Sequence, residues 1–243
     1  MNTAQPKGSG PGFMGLPPAR LISYIYFHPE LLGLAAAVLW IVGLYLALIW
    51  APVDLLQGEP YRIFYLHLPM ALAAYLSFIV VFIGGILYLW KRKRLFDVWA
   101  RSAAEVGLLF LTLVIVSGGI WGQATWGTFW AWEPRLTFTF ILWLIFVAYV
   151  MLRQTVKDQE QGARYAAVLG IIGFLDMPMV FLSVYMTDRD LHPEPRELPP
   201  EVWTVTWVTF AAFMALLAYI LIQRVRIEQS REELEELRAS LEE

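Results

Sequence analysis

Residues 64–90 read FYLHLPMALAAYLSFIVVFIGGILYLW, a run without a single aspartate, glutamate, lysine or arginine. As a helix rising 1.5 Å per residue it is about 40 Å long, more than the roughly 30 Å of hydrocarbon in a bilayer. Such a run reads as a membrane span. Working outward from it, five more stretches have the same character, over about 31–51, 103–122, 136–152, 165–186 and 202–223. The composition agrees, with 58% hydrophobic residues, only 16% charged ones and a mean hydropathy of +0.56. The expected fold class is all-α: a polytopic membrane protein built as a bundle of six transmembrane helices.

Three segments follow from this division. Residues 1–24 contain KGSGPGFMGLPP, whose glycines and prolines disfavour regular structure, and they lack the charged, apolar and cleavable succession of a signal peptide. A mobile N-terminal segment is expected there, with the first span retained. Residues 25–223 form the membrane domain. Residues 224–243 repeat Ile227, Leu234 and Leu241 at seven-residue spacing, with Leu237 between, in a background of Glu and Arg. That pattern is a short amphipathic helix, either a docking helix for a partner or a solvated extension of the sixth span.

Lysine and arginine set the orientation. Fourteen of the 18 fall in the N-terminal segment, the second loop (Lys91, Arg92, Lys93, Arg94, Arg101), the fourth loop (Arg153, Lys157, Arg164) and the tail. The other four are Arg62, Arg135, Arg189 and Arg196. The positive-inside rule therefore puts both termini in the cytoplasm and the loops around 52–63, 121–137 and 187–201 on the outer face. The net charge of −3 gives no reason to expect a nucleic-acid partner; the partner implied by composition is the lipid bilayer. The chain has no cysteine, which excludes thiolate metal sites and covalent thioether attachment of a cofactor to it.

The loop over 121–137 reads WGQATWGTFWAWEPRLT, four tryptophans and a phenylalanine with Glu133 and Arg135 among them. An interfacial aromatic belt accounts for such a run, and so does a platform for a flat aromatic ligand. In a short helix, Trp126 with Trp130 and Phe129 with Glu133, each pair four apart, would make an aromatic face edged by a carboxylate. Two of the three histidines share this side. His67 lies at the outer end of the second span and His192 just beyond the outer end of the fifth, while His28 lies on the cytoplasmic side before the first helix. Two imidazoles on opposite faces of a porphyrin complete six-coordination of its iron, whereas an isolated histidine more often serves as a hydrogen-bonded surface residue.

WGTFWAWEPRLT resembles the tryptophan-rich signature of the haem-handling membrane proteins of cytochrome c maturation, and among them the chain is similar to the CcmC family. YRIFYLHLPMA resembles the segment carrying that family's first haem histidine, and LDMPMVFLSVY followed by LHP the segment carrying the second. The resemblance covers roughly residues 25–223. It implies that His67 and His192 are axial ligands of haem iron, and that Trp121, Trp126, Trp130 and Trp132 form the surface on which the porphyrin rests. Arg62 and Arg135 occupy motif positions where a guanidinium pairs bidentately with a haem propionate. Phe129 stands where the family often has tryptophan and Glu133 where it has aspartate: the phenylalanine keeps the aromatic face and loses the N–H, the glutamate keeps the charge on a longer arm.

By the same resemblance the cargo is haem b, held non-covalently and in transit. The partners are the haem chaperone CcmE, the small membrane protein CcmD, and the ABC transporter subunits CcmA and CcmB. The location is a bacterial inner membrane with the haem site on the periplasmic side, and the role is delivery, not catalysis. A b-type cytochrome subunit and a haem-free scaffold are the alternatives. Asp176, two residues before Pro178 in the fifth span, reads either as a functional intramembrane acid or as a cap for backbone groups freed by the proline.

Overall fold

The computed structural model describes residues 28–186 and 199–242. Six helices long and apolar enough to cross a membrane are present, as expected. We number them α1 (Pro29–Tyr45, prolonged by a π turn over Leu46–Trp50), α2 (Phe64–Lys91), α3 (Arg94–Trp126), α4 (Pro134–Thr155), α5 (Gln159–Leu182) and α6 (Pro200–Glu242). A 3-10 turn, Glu59–Ile63, leads into α2 and another, Ser183–Met186, follows α5. Among the described residues the nearest thing to a strand is an isolated bridge between Asp54 and Gly58.

Helices α2 and α3 form the central pair, with the most extensive packing in the molecule. On one side α6 lies against both and carries α1 on its outer flank; on the other α5 packs on α2 and α4 on α5. Without a hydrophobic drive between helices in lipid, close packing has to hold the bundle. Phe78 and Phe146 stack with ring centroids 3.7 Å apart, surrounded by the buried Val81, Leu111, Leu142 and Tyr149. Gly107 makes this possible: a Cβ there would lie 2.6 Å from the Phe78 ring, so α3 must present bare backbone to it. The apolar residues left exposed, such as Leu34, Ile41 and Ile83, face outward, as lipid-facing residues should.

One boundary differs from the sequence expectation. The third span, expected from about 103, begins at Arg94, because the charges that masked its first turns are neutralised inside the bundle. Arg153 of α4 donates to Asp97 at 2.9 Å with both side chains nearly buried. Arg224 of α6 makes a two-pronged contact with Glu105 and reaches Glu228 at 2.9 Å, and Arg101 pairs with Glu228. Arginine's planar fork suits such pairs. Helix α6 runs without a break through residues 224–242, so the tail continues the sixth span as one helix, which is one of the two readings its sequence offered.

Candidate functional site

The tryptophan-rich run is not one loop over 121–137. Trp121–Trp126 complete α3, Gly127 ends it with a left-handed φ of 74°, and Pro134 opens α4 at the first helical position, where its missing N–H costs nothing. Only residues 127–133 remain as a linker, and they are not helical, so the i,i+4 aromatic face expected across Trp126–Trp130 and Phe129–Glu133 does not form. The linker is instead folded onto α3. Phe129 sits end-on against Gly119, where a Cβ would run into the ring, and the Thr128 hydroxyl donates to the Trp130 carbonyl at 2.9 Å.

This folding encloses a cavity of about 210 Å³ between α2, α3, α4, α5 and the linker. Its wall brings together His67 and Tyr75 from α2, Gly118, Gly119, Trp121 and Trp126 from α3, Trp130 from the linker and Arg135 from α4. Thus five of the residues singled out in the sequence meet around one space. The Trp130 indole N–H is buried there with no hydrogen-bond partner among the described residues. A buried donor left unmade costs roughly 1–3 kcal/mol, and others lie away from the cavity, at Trp40 Nε1 and Arg153 Nε.

Other expected site residues lie elsewhere. Arg62 donates to the carbonyl oxygens of Ala47 and Ala51, each at 3.0 Å, and to Glu59, so its guanidinium satisfies the C-terminal carbonyls of the first span. Trp132 is 74% exposed and stands edge-on to Trp130, with centroids 5.8 Å apart. Glu133 is buried at the N-cap of α4, where the helix dipole favours a carboxylate, and its carbonyl accepts from Thr137. Phe129 backs the cavity from behind Gly119 without lining it. His192 lies outside the described residues. Asp176 is half-buried and its Oδ2 has no hydrogen-bond partner among the described residues, so no cap on the backbone freed by Pro178 is built through that atom.

Trp121 has a second role. It is 6% exposed, packs with Tyr61, Tyr65, Val202 and Val205, and its Nε1 donates to Gln57 at 2.8 Å. One indole thus ties α3, α6 and the loop before α2 together while offering an edge to His67, with centroids 5.8 Å apart.

The family model of heme exporter protein C, CcmC, matches residues 17–240. The chain belongs to the CcmC family. Heme exporter protein C of Paracoccus denitrificans is 31% identical over 202 residues, covering 79% of this chain and 84% of that protein. The Escherichia coli protein of the same name is 29% identical over 217 residues, 86% of each chain. A CcmC-like mitochondrial protein of cytochrome c biosynthesis from Marchantia polymorpha is 37% identical over 143 residues; the match spans 59% of this chain and 60% of that relative.

Among the residues that escaped the sequence reading are Gly118 and Gly119, which line the cavity, and Ser117, which lies beside His67. Ser117 Oγ lies 3.0 Å from His67 Nδ1, and a Cβ on Gly118 would be 3.0 Å from His67 Cε1. Small residues inside an apolar span read as helix-packing positions, so only their position opposite His67 reveals the connection.

Proposed function

We propose that this CcmC-family chain handles haem for cytochrome c maturation, holding it at the tryptophan end and passing it to a periplasmic haem chaperone. The observation that carries the reading is the cavity in which His67, Trp126, Trp130 and Arg135 converge. Imidazole supplies an iron ligand, indole faces supply flat apolar surface, and a guanidinium matches a propionate. His192, following the fifth span, is the proposed second ligand, and Arg62 a propionate contact that would first have to leave the Ala47 and Ala51 carbonyls. The residues fit the group: an apolar aromatic wall, a histidine and a guanidinium share one space. At about 210 Å³ the cavity is smaller than the roughly 300–1,000 Å³ that encloses a drug-sized ligand, so a porphyrin entering it remains partly outside. That suits a cargo that must leave again.

The same reading puts the arginine-rich ends of the helices and both termini in the cytoplasm, the tryptophan end on the periplasmic side of the inner membrane, and residues 25–223 in the haem-handling unit. The chain then works with CcmE as acceptor and with CcmA, CcmB and CcmD, and its role is delivery of haem b held non-covalently. Purified protein from haem-replete cells should show a Soret band, and incubation with the soluble chaperone domain should move that absorbance to the chaperone. Absence of the band in wild type would overturn haem binding; haem that stays put under all conditions would replace delivery by electron transfer.

A further inference from the structure

The position of Ser117 and Gly118 assigns His67 a proton. Ser117 Oγ lies 3.2 Å from the Val114 carbonyl one turn back in α3 and 3.0 Å from His67 Nδ1. A serine hydroxyl has a single hydrogen, and a carbonyl can only accept, so donation to Val114 leaves the oxygen a lone pair toward the imidazole. With the hydroxyl hydrogen directed to the Val114 carbonyl and not to Nδ1, Nδ1 carries the N–H and donates it to Ser117. The ring lone pair is on Nε2. Gly118 permits the arrangement: its Cβ would come within 3.0 Å of Cε1, 3.7 Å of Nδ1 and 3.9 Å of Nε2, so any side chain there presses on the ring. Trp121 limits the ring from another side, its plane at 68° to the imidazole.

We propose that Ser117 is a positioning residue for His67, holding Nδ1–H so that Nε2 is the atom offered to iron, with Gly118 providing the space in which the ring lies against α3. The inference rests on the haem-handling reading only for its use; the tautomer itself is a property of the protein alone. An outer partner that fixes a histidine's tautomer and orientation also makes it a better ligand, and its loss typically lowers metal affinity about 10- to 100-fold.

The test has two arms, both on the full chain in detergent. In haem-free protein labelled with ¹⁵N-histidine, with the His67 signals assigned by their loss in His67→Ala, the ring nitrogens report which one bears the proton. Wild type should show the Nδ1–H form, Ser117→Ala a shift toward Nε2–H or a mixture, and Ser117→Thr, which keeps the hydroxyl, the wild-type form. In the second arm haemin is titrated in. Ser117→Ala should bind about 10-fold more weakly with an altered absorption spectrum, Ser117→Thr should restore both, and Gly118→Ala should weaken binding while displacing the His67 ring signals. Nε2–H at His67 in wild type, or an unchanged tautomer together with haemin affinity within about twofold in Ser117→Ala, overturns the proposal. If wild type has the Nδ1–H tautomer yet takes up no haemin, the haem-handling reading fails and the positioning geometry stands. If haemin binding is lost in His67→Ala and untouched in Ser117→Ala, the positioning role fails and the haem-handling reading stands.

Discussion

The two ends of the bundle solve opposite problems. At the arginine end, charges within the helices are matched: Arg153 with Asp97, Arg224 with Glu105 and Glu228, Arg101 with Glu228, tying α3 to both α4 and α6. At the tryptophan end the same central helix, α3, opens onto a cavity where the Trp130 N–H has no partner and Ser117 and Gly118 serve a single imidazole. Charge pairing marks the end that must stay assembled. Buried donors without a hydrogen-bond partner among the described residues occur at both ends, Arg101 Nε and Arg153 Nε included, so what sets the tryptophan end apart is its cavity. The contrast is sharpest in α3 itself, whose first turns are neutralised by partners from other helices and whose last turns are walled by tryptophan.

If that division is right, damage at the two ends should separate into stability and binding. The largest stability effect is expected from Arg153→Ala, which strips the guanidinium from the nearly buried Asp97. Removing one partner of a buried pair costs about 3–5 kcal/mol, so thermal unfolding in detergent should shift clearly downward while the folded fraction keeps its haem affinity. An unchanged melting curve would mean that this pair does not hold the end together. His67→Ala should do the reverse. Haem loading should fall by more than the roughly 10- to 100-fold expected for loss of an outer partner, with the melting curve of haem-free protein little changed; added imidazole should restore part of the spectrum. Equal losses of stability and binding in both variants would erase the distinction between the ends.

Arg62 tests where the boundary of the site runs. Its hydrogen bonds go to the carbonyls of Ala47 and Ala51, and charged hydrogen bonds contribute about 1.5–3 kcal/mol each way one removes them. Arg62→Ala should therefore lower stability by about that amount through the end of the first span. A loss confined to haem affinity, with no change in unfolding, would move Arg62 from the scaffold to the site and show that its guanidinium turns toward the cargo when loaded.

How much of this was legible in the sequence depended on whether a feature needs a distant partner. The run 64–90 needs none: a long uncharged helix must span, and all six spans are where their apolar stretches lie. The start of α3 was missed because Asp97 and Arg101 look like a loop until Arg153 and Glu228 are brought to them from more than 50 residues away. The linker's bounds were available in Gly127 and Pro134, which end and begin helices, but the density of aromatic residues invited one unbroken loop. His67, Trp126, Trp130 and Arg135 were recognised individually and do meet at one cavity. Trp121 was expected as platform alone, and its burial among Tyr61, Tyr65 and Val205 follows from the folding of the bundle end, which local sequence does not encode.

The smallest effect asks the most of the comparison. Trp130 and Trp132 are two residues apart in one linker and touch edge to face, yet Trp130 lines the cavity with a buried N–H while Trp132 is largely exposed. Phenylalanine preserves an aromatic face and removes only the donor. If the Trp130 N–H is made good by a bound propionate or by water held with the cargo, Trp130→Phe forfeits one hydrogen bond, about 0.5–1.5 kcal/mol or roughly a 2- to 12-fold weaker haemin titration. Trp132→Phe should stay within about twofold, because no hydrogen bond of its indole is buried in the cavity. Were the orphaned N–H merely a packing cost, Trp130→Phe would instead raise the melting temperature and leave the titration unchanged. Were the pair an interfacial belt, the two variants would behave alike.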